Sequence, residues 1–458
     1  IKATGWTYRV AAIIGITIPV VIANIVLVYQ IGKEIAGKRI GLLSGLMVAF
    51  VGWNIFFSVC TIPNIVGIPF LLAIIKLTLM WMNRRIKLWK LVSALFILTV
   101  VIIFTHPIAT VWVCIFIVMM LVVQFIRLSR SGNIKAVREY SIVVFAVIVV
   151  VIILWQITGY VDQMINLFNF GFCPATLGFT PPSTIGAEPI IVPMDVAGLI
   201  KAEFIDSSAN ITVTPSIETL TTAPFYESLW NVLGMFAYLA LAISGIWYYF
   251  SNKSDSRGAL IVIYGLIILS GGFLPMFFGM SFLEHRWWLL AEIILSIPLA
   301  WAILQAAGRR KGVIAAGLVV AILCLLNITG LPANMDNRDI SKNQLARYAF
   351  TEGELEAIGY ISGEYSGTIG VDEYYTLAAN MDGLVKNKEN RIINISDNLI
   401  KGTAITTDIV IIRNEVRYGL LASGSGTVFR LTYDPVKILE DEGYSVVYSN
   451  NDAIALAK

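Results

Sequence analysis

The feature that most constrains this chain is an alternation. Apolar runs are separated by short loops, and every second loop is basic while the others hold almost no Lys or Arg. A helix of about 20 apolar residues crosses the hydrocarbon core of a bilayer, and only a backbone that satisfies its own hydrogen bonds is stable there. The runs are residues 10–31, 41–60, 65–82, 91–125, 141–157, 228–250, 259–273, 289–304 and 313–328. Residues 91–125 are too long for one crossing. Thr105-His106-Pro107 divides them, because proline disfavours helix in the residue before it. The expectation is a polytopic α-helical membrane protein of about ten spans.

Composition agrees, with 57% hydrophobic and 14% charged residues, far from a soluble domain. The net charge of +3 is scattered over many loops, so no nucleic-acid partner is expected. Cys60, Cys114, Cys173 and Cys324 have neither metal-ligand nor disulfide spacing.

The basic loops carry Lys33, Lys38 and Arg39, then Arg84, Arg85, Lys87 and Lys90, then Arg127, Arg130, Lys135 and Arg138, with Lys253/Arg257 and Arg309-Arg310-Lys311 later. Basic loops stay in the cytoplasm. Thr61-Ile-Pro-Asn64, His106, the Pro- and Thr-rich loop 158–226, His285-Arg286 and everything after Thr329 are therefore expected outside. The same alternation starts Ile1 outside, which calls for an odd number of spans, most simply one, ahead of it.

Two domains are expected: a membrane part, residues 1–330, and an extracytoplasmic soluble α/β domain, residues 331–458. In the latter, Thr351-Glu-Gly-Glu354 fits a capping box opening a helix, with Leu355, Ile358 and Ile361 on one face. Strand candidates are 368–371, 391–395, 408–412, 445–448 and 453–457, the last two flanking an Asn450-Asn451-Asp452 turn.

The candidate site is Ser281-Phe-Leu-Glu-His-Arg-Trp-Trp288, which sets Glu284, His285 and Arg286 at the mouth of a membrane helix. Two tryptophans mark the lipid–water boundary. A charged triplet there needs a partner, and an anionic lipid headgroup is an obvious one. The plainer reading is an interfacial anchor on ordinary phospholipid. Both histidines of the chain, His106 and His285, fall on the outer side, although a histidine at a helix end can simply bond backbone carbonyls. Glu292 lies seven residues after His285 on the same helix face. An ionisable group at membrane depth is a functional candidate, against the alternative of a packing role.

Arg9, followed by a span ending in Leu27-Val-Tyr-Gln-Ile-Gly-Lys-Glu-Ile-Ala-Gly-Lys-Arg-Ile-Gly-Leu-Leu43, resembles a pattern of the GT-C membrane glycosyltransferases. Thr61-Ile-Pro-Asn64 is similar to the outer turn after their next span. Thr105-His106-Pro107 and Glu284-His285-Arg286-Trp287 resemble features of archaeal and bacterial members of the protein-mannosyltransferase and aminoarabinose-transferase type.

The resemblance implies transfer of a sugar from a polyprenyl-phosphate (dolichyl-type) donor to a glycan, lipid or protein acceptor on the outer face. It gives donor-phosphate binding to Arg286, His285 and His106; Glu284, Glu292 and Arg9 are further candidates for a supporting role. The family's catalytic carboxylate stands in the first outer loop. Here no Asp or Glu precedes Glu34, which is on the inner side, so the base is expected upstream of Ile1. No metal ligand is assigned, and any need for a divalent ion stays open. The alternatives are a non-catalytic membrane subunit or binding protein with an outer domain, and a transporter, for which charge inside the spans is sparse.

Overall fold

The computed structural model describes residues 11–59, 63–105, 107–131, 134–158, 217–219, 225–252, 255–277, 284–308, 310–330, 333, 350–379, 385–387, 389–419, 421–422 and 428–458. The chain divides into two compact units, one of Ile1–Pro181 with Leu229–Ala333 and one of Pro182–Ser228 with Asn334–Lys458.

The first unit is helical. A π-turn, Ile13–Thr17, leads into α1 (Ile18–Ala36), followed by α2 (Lys38–Ala49), α3 (Gly52–Val59), α4 (Pro63–Met82), α5 (Leu88–Thr105), α6 (Pro107–Ser131) and α7 (Ile134–Thr158). After strand β1 (Ile217–Thr219) of the other unit come α8 (Phe225–Asn252), α9 (Ser256–Phe277), α10 (Glu284–Ala306) and α11 (Arg310–Thr329).

Among the described residues, eight helices are long and apolar enough to cross a membrane. The chain is a multi-pass membrane protein carrying a small C-terminal sheet domain. The expected second span is interrupted at Phe50-Val51, which splits it into α2 and α3. The sixth run lies within α7. Thr105 ends α5 and Pro107 opens α6, the break anticipated from the proline ring.

Burial ranks the spans. In Arg286–Ala306, 78% of the apolar window is buried, against 22% in Gly312–Thr329 and 17% in Ile13–Ala36. α10 is therefore the helix others pack around, while Ile22, Phe104, Phe145, Trp247 and Ile314 stay exposed, as side chains facing lipid do. At the end of the bundle opposite Arg286, the nearly buried Glu34 carboxylate pairs with Lys76 at 3.2 Å and Arg85 at 3.0 Å. Arg257 donates to Asn83 at 2.5 Å and to Asp255 at 2.7 Å. Arg85 thus ties the loop after α4 to α1 by charge.

The second unit holds α12 (Glu352–Glu364), β2 (Thr368–Val371), α13 (Glu373–Ala379), β3 (Arg391–Asn394), α14 (Ser396–Lys401), β4 (Ile409–Arg413), α15 (Asn414–Tyr418), β5 (Leu421–Ala422), β6 (Val428–Leu431), α16 (Pro435–Asp441), β7 (Ser445–Ser449) and β8 (Ala453–Ala457). Its main sheet has the order β3-β2-β4-β8-β7. β2 runs parallel to β3 and β4, whereas β8 is antiparallel to β4 and β7. The Thr351 hydroxyl accepts from the Glu354 N–H at 3.1 Å, and the Glu354 carboxylate accepts from the Thr351 N–H at 2.9 Å, so the capping box forms. Ile358 and Ile361 of α12 then pack on Ile369, Val371, Ile409 and Ile411 of the sheet. The Asn450 side-chain oxygen accepts from the N–H groups of Asp452 and Ala453 and closes the β7–β8 hairpin.

A second sheet, β1-β6-β5, is antiparallel throughout, with Ile217 opposite Leu431. Its first strand comes from the stretch between the sixth and seventh apolar runs. Beneath the main sheet, Arg413 is 1% exposed and forms two hydrogen bonds of 2.7 Å with Asp372. Its guanidinium lies beside the stacked Phe350 and Tyr375 rings, 5.2 and 5.5 Å from their centroids. Burial works against its charge, but the Asp372 and Glu354 carboxylates hold Arg413 well above the usual arginine range.

Candidate functional site

The first turn of α10 contains Glu284, His285 and Arg286 in succession. Four N–H groups at such a helix start have no intrahelical acceptor and carry the positive end of the helix dipole. Arg286 is half-buried. It projects from the part of the helix that already favours an anion.

Two indoles fix the rotation and depth of this turn. Trp287 lies over Gly271 of α9, and Trp288 lies over Gly272, where an added Cβ would stand 2.5 Å from either ring. Only hydrogen side chains let the rings reach the α9 backbone. Trp287 meets Trp112 of α6 edge-on at 6.4 Å between centroids. Trp288 packs with Phe273 at 5.3 Å and with Trp53 of α3 at 6.2 Å. Tyr264 of α9, in turn, donates to the Trp112 carbonyl at 3.0 Å. Helices α3, α6 and α9 thereby grip the start of α10 from several sides, with aromatic contacts worth about 0.5–1.5 kcal/mol each beyond their area.

Glu292 stands roughly 9 Å beyond Arg286 along α10, at about 1.5 Å per residue. It is 1% exposed. Its Oε2 has no hydrogen-bond partner among the described residues, while its backbone carbonyl accepts from the Tyr238 hydroxyl of α8 at 2.9 Å. Glu292 lines a small cleft together with Trp53, Leu326, Asn327 and Gly330.

The residues expected from sequence thus separate into three sets. Glu284, His285 and Arg286 share one helical turn, and Glu292 lies deeper on the same helix. Arg9 and His106 fall outside the described residues, as does most of loop 158–226. Among the described residues, no group of three or more His, Cys, Asp or Glu is placed to hold a metal ion. Sequence reasoning missed Trp53, Gly271 and Gly272 as partners of the signature. The adjacent glycines near the end of an apolar run were the available signal, but a glycine pair does not say which helix it receives.

The chain matches no protein-family model and no curated protein sequence. Among solved structures it is similar to the apo form of the Archaeoglobus fulgidus oligosaccharyltransferase, with a TM-score of 0.44, 10% identity, and coverage of 88% of this chain and 58% of that one. It is also similar to the archaeal oligosaccharyltransferase AglB from Archaeoglobus fulgidus in complex with an inhibitory peptide and a dolichol-phosphate, with a TM-score of 0.45, 10% identity, and coverage of 95% and 64%. The chain spans less than two thirds of the length of either structure.

Proposed function

We propose that this protein takes part in transfer of a sugar from a polyprenyl-phosphate carrier to an acceptor on the outer face of the membrane. The observation that carries the reading is Arg286, half-buried in the first turn of α10 and followed by two indoles seated on Gly271 and Gly272. A guanidinium can grip phosphate through two parallel hydrogen bonds. The helix start adds a positive potential at the same point.

In the reaction, the acceptor hydroxyl oxygen attacks the anomeric carbon, the bond from that carbon to the phosphate oxygen breaks, and polyprenyl phosphate departs with the electron pair. The hydroxyl proton passes to a base that we assign to no residue of this chain. The role of Arg286 is to stabilise the negative charge growing on the leaving phosphate, an electrostatic task that fixed donors perform well because they need no reorganisation. His285 and His106 are proposed as further donors to that phosphate, and Glu284 and Arg9 as supports. The sheet domain, residues 331–458, lies outside the cell in this reading.

The test is transfer from a polyprenyl-phosphate-linked radiolabelled sugar in membrane vesicles. Arg286→Ala is expected to insert normally and to lose transfer. Normal transfer by that variant overturns the reading.

A further inference from the structure

The Glu292 cleft differs in charge from the Arg286 turn. A carboxylate oxygen without a partner among the described residues is buried there. Removing an ionised carboxylate from water is costly unless a counter-charge or a set of donors replaces the water. Facing it are Leu326, Asn327 and Gly330, at the closing turn of α11. That helix end carries the negative pole of the dipole. Gly234 of α8 lets the two backbones close on each other, since a Cβ there would stand 3.0 Å from the Leu326 carbonyl. Trp53 completes the wall. Among the described residues, no basic side chain lines the cleft.

A buried carboxylate and a helix C-terminus both repel an anion and favour a positive charge. We infer that the cleft between α3, α8, α10 and α11 is a binding site for a compact monovalent cation, held by the Glu292 carboxylate and the last turn of α11. One carboxylate balances one charge. A divalent ion such as calcium demands six or more oxygen ligands, which these residues do not supply. The cation has two possible sources with the same chemistry, an alkali ion from solution or the primary ammonium of a lipid headgroup. The inference does not depend on the transferase reading, because it uses neither Arg286 nor a donor lipid.

The experiment is thermal unfolding of the whole purified protein at constant ionic strength. In detergent, sodium, potassium, rubidium or caesium chloride is compared with the chloride of the bulky N-methylglucamine cation. In nanodiscs with only the bulky cation present, phosphatidylcholine is compared with a mixture containing phosphatidylethanolamine. A bound cation is expected to raise the midpoint by roughly 2–4 °C at saturation, with a clear preference for one ion size or for the ethanolamine lipid, and Glu292→Gln is expected to abolish the rise. If that variant fails to fold, the size preference in the unaltered protein decides. Equal midpoints across all ions and both lipids, or an equal rise in Glu292→Gln, overturn the proposal.

Discussion

Trp287 rests its six-membered ring against Gly271, so closely that a methyl group on that glycine would lie 2.5 Å from it. The contact sets the rotation of α10 and hence the direction in which Arg286, one residue earlier, leaves the helix.

Replacing Gly271 with Val is therefore expected to push the indole away and misdirect Arg286. Overpacking of this kind costs about 1–3 kcal/mol. Sugar transfer in vesicles should fall more than the amount of inserted protein, measured side by side. An unchanged ratio of activity to protein would mean that the glycine matters for packing alone.

Arg286 itself separates charge from geometry. Loss of one preorganised donor to a developing anion costs on the order of 100–1000-fold in turnover. Arg286→Lys keeps the charge but loses the two-pronged grip, so its turnover should lie between that of the unaltered protein and Arg286→Ala. Turnover against donor concentration checks this order.

In the sheet domain, Arg413→Met leaves the buried Asp372 carboxylate without its partner, a loss expected to cost about 3–5 kcal/mol. The double variant Arg413→Met/Asp372→Leu should recover only part of this, because the buried Glu354 carboxylate also loses its 3.6 Å ion pair with Arg413. Hydrogen exchange at the β4 amides of the full-length protein reads both, and equal exchange in the single and double variants would contradict the account.

The pair Arg417–Asp434 gives a pH dependence. The Asp434 carboxylate accepts from Arg417 at 3.0 Å and from the Val436 N–H at 3.1 Å, capping α16. Burial alone would raise its pKa, but the Arg417 and backbone donors hold it below the usual aspartate value. A carboxylate lowered in the folded state contributes its full stability above its unfolded pKa of about 3.9, and loses that contribution as pH falls through the lower folded value. Exchange protection around α16 should drop in that acid window. Arg417→Met should flatten the drop.

Strand β1 offers a covalent check. Ile217 and Leu431 face each other in an antiparallel pair, and opposed positions of that kind suit disulfide geometry. Ile217→Cys/Leu431→Cys should crosslink under mild oxidation, whereas Ile217→Cys/Ala457→Cys should not.

The spans were legible because apolar length in lipid is a one-dimensional requirement that neighbours do not alter. The same holds for the break at Thr105-His106-Pro107, a local steric effect, and for the Thr351–Glu354 cap, which closes within one turn. The five strands of the main sheet were found by their short apolar runs, with ends shifted by a residue, as at β4, where Ile409–Arg413 replaces 408–412. The β1-β6-β5 sheet was not legible, since Ile217 pairs with Leu431 across a long separation and neither short strand has a periodic signature. At the site, Arg286 was marked by its tryptophans, but the glycines beneath them and the Trp53 wall depend on helix packing that no local pattern encodes.

At one end of the bundle the Glu34 ion pairs tie α1 to α4 and the loop after it, and Arg257 of α9 bonds to Asn83 of that loop, while Trp287 and Trp288 hold the Arg286 end through ring and glycine contacts. The two ends of the bundle are therefore closed by different chemistry: dissolved salt screens exposed charge pairs, whereas ring-on-backbone packing is indifferent to it.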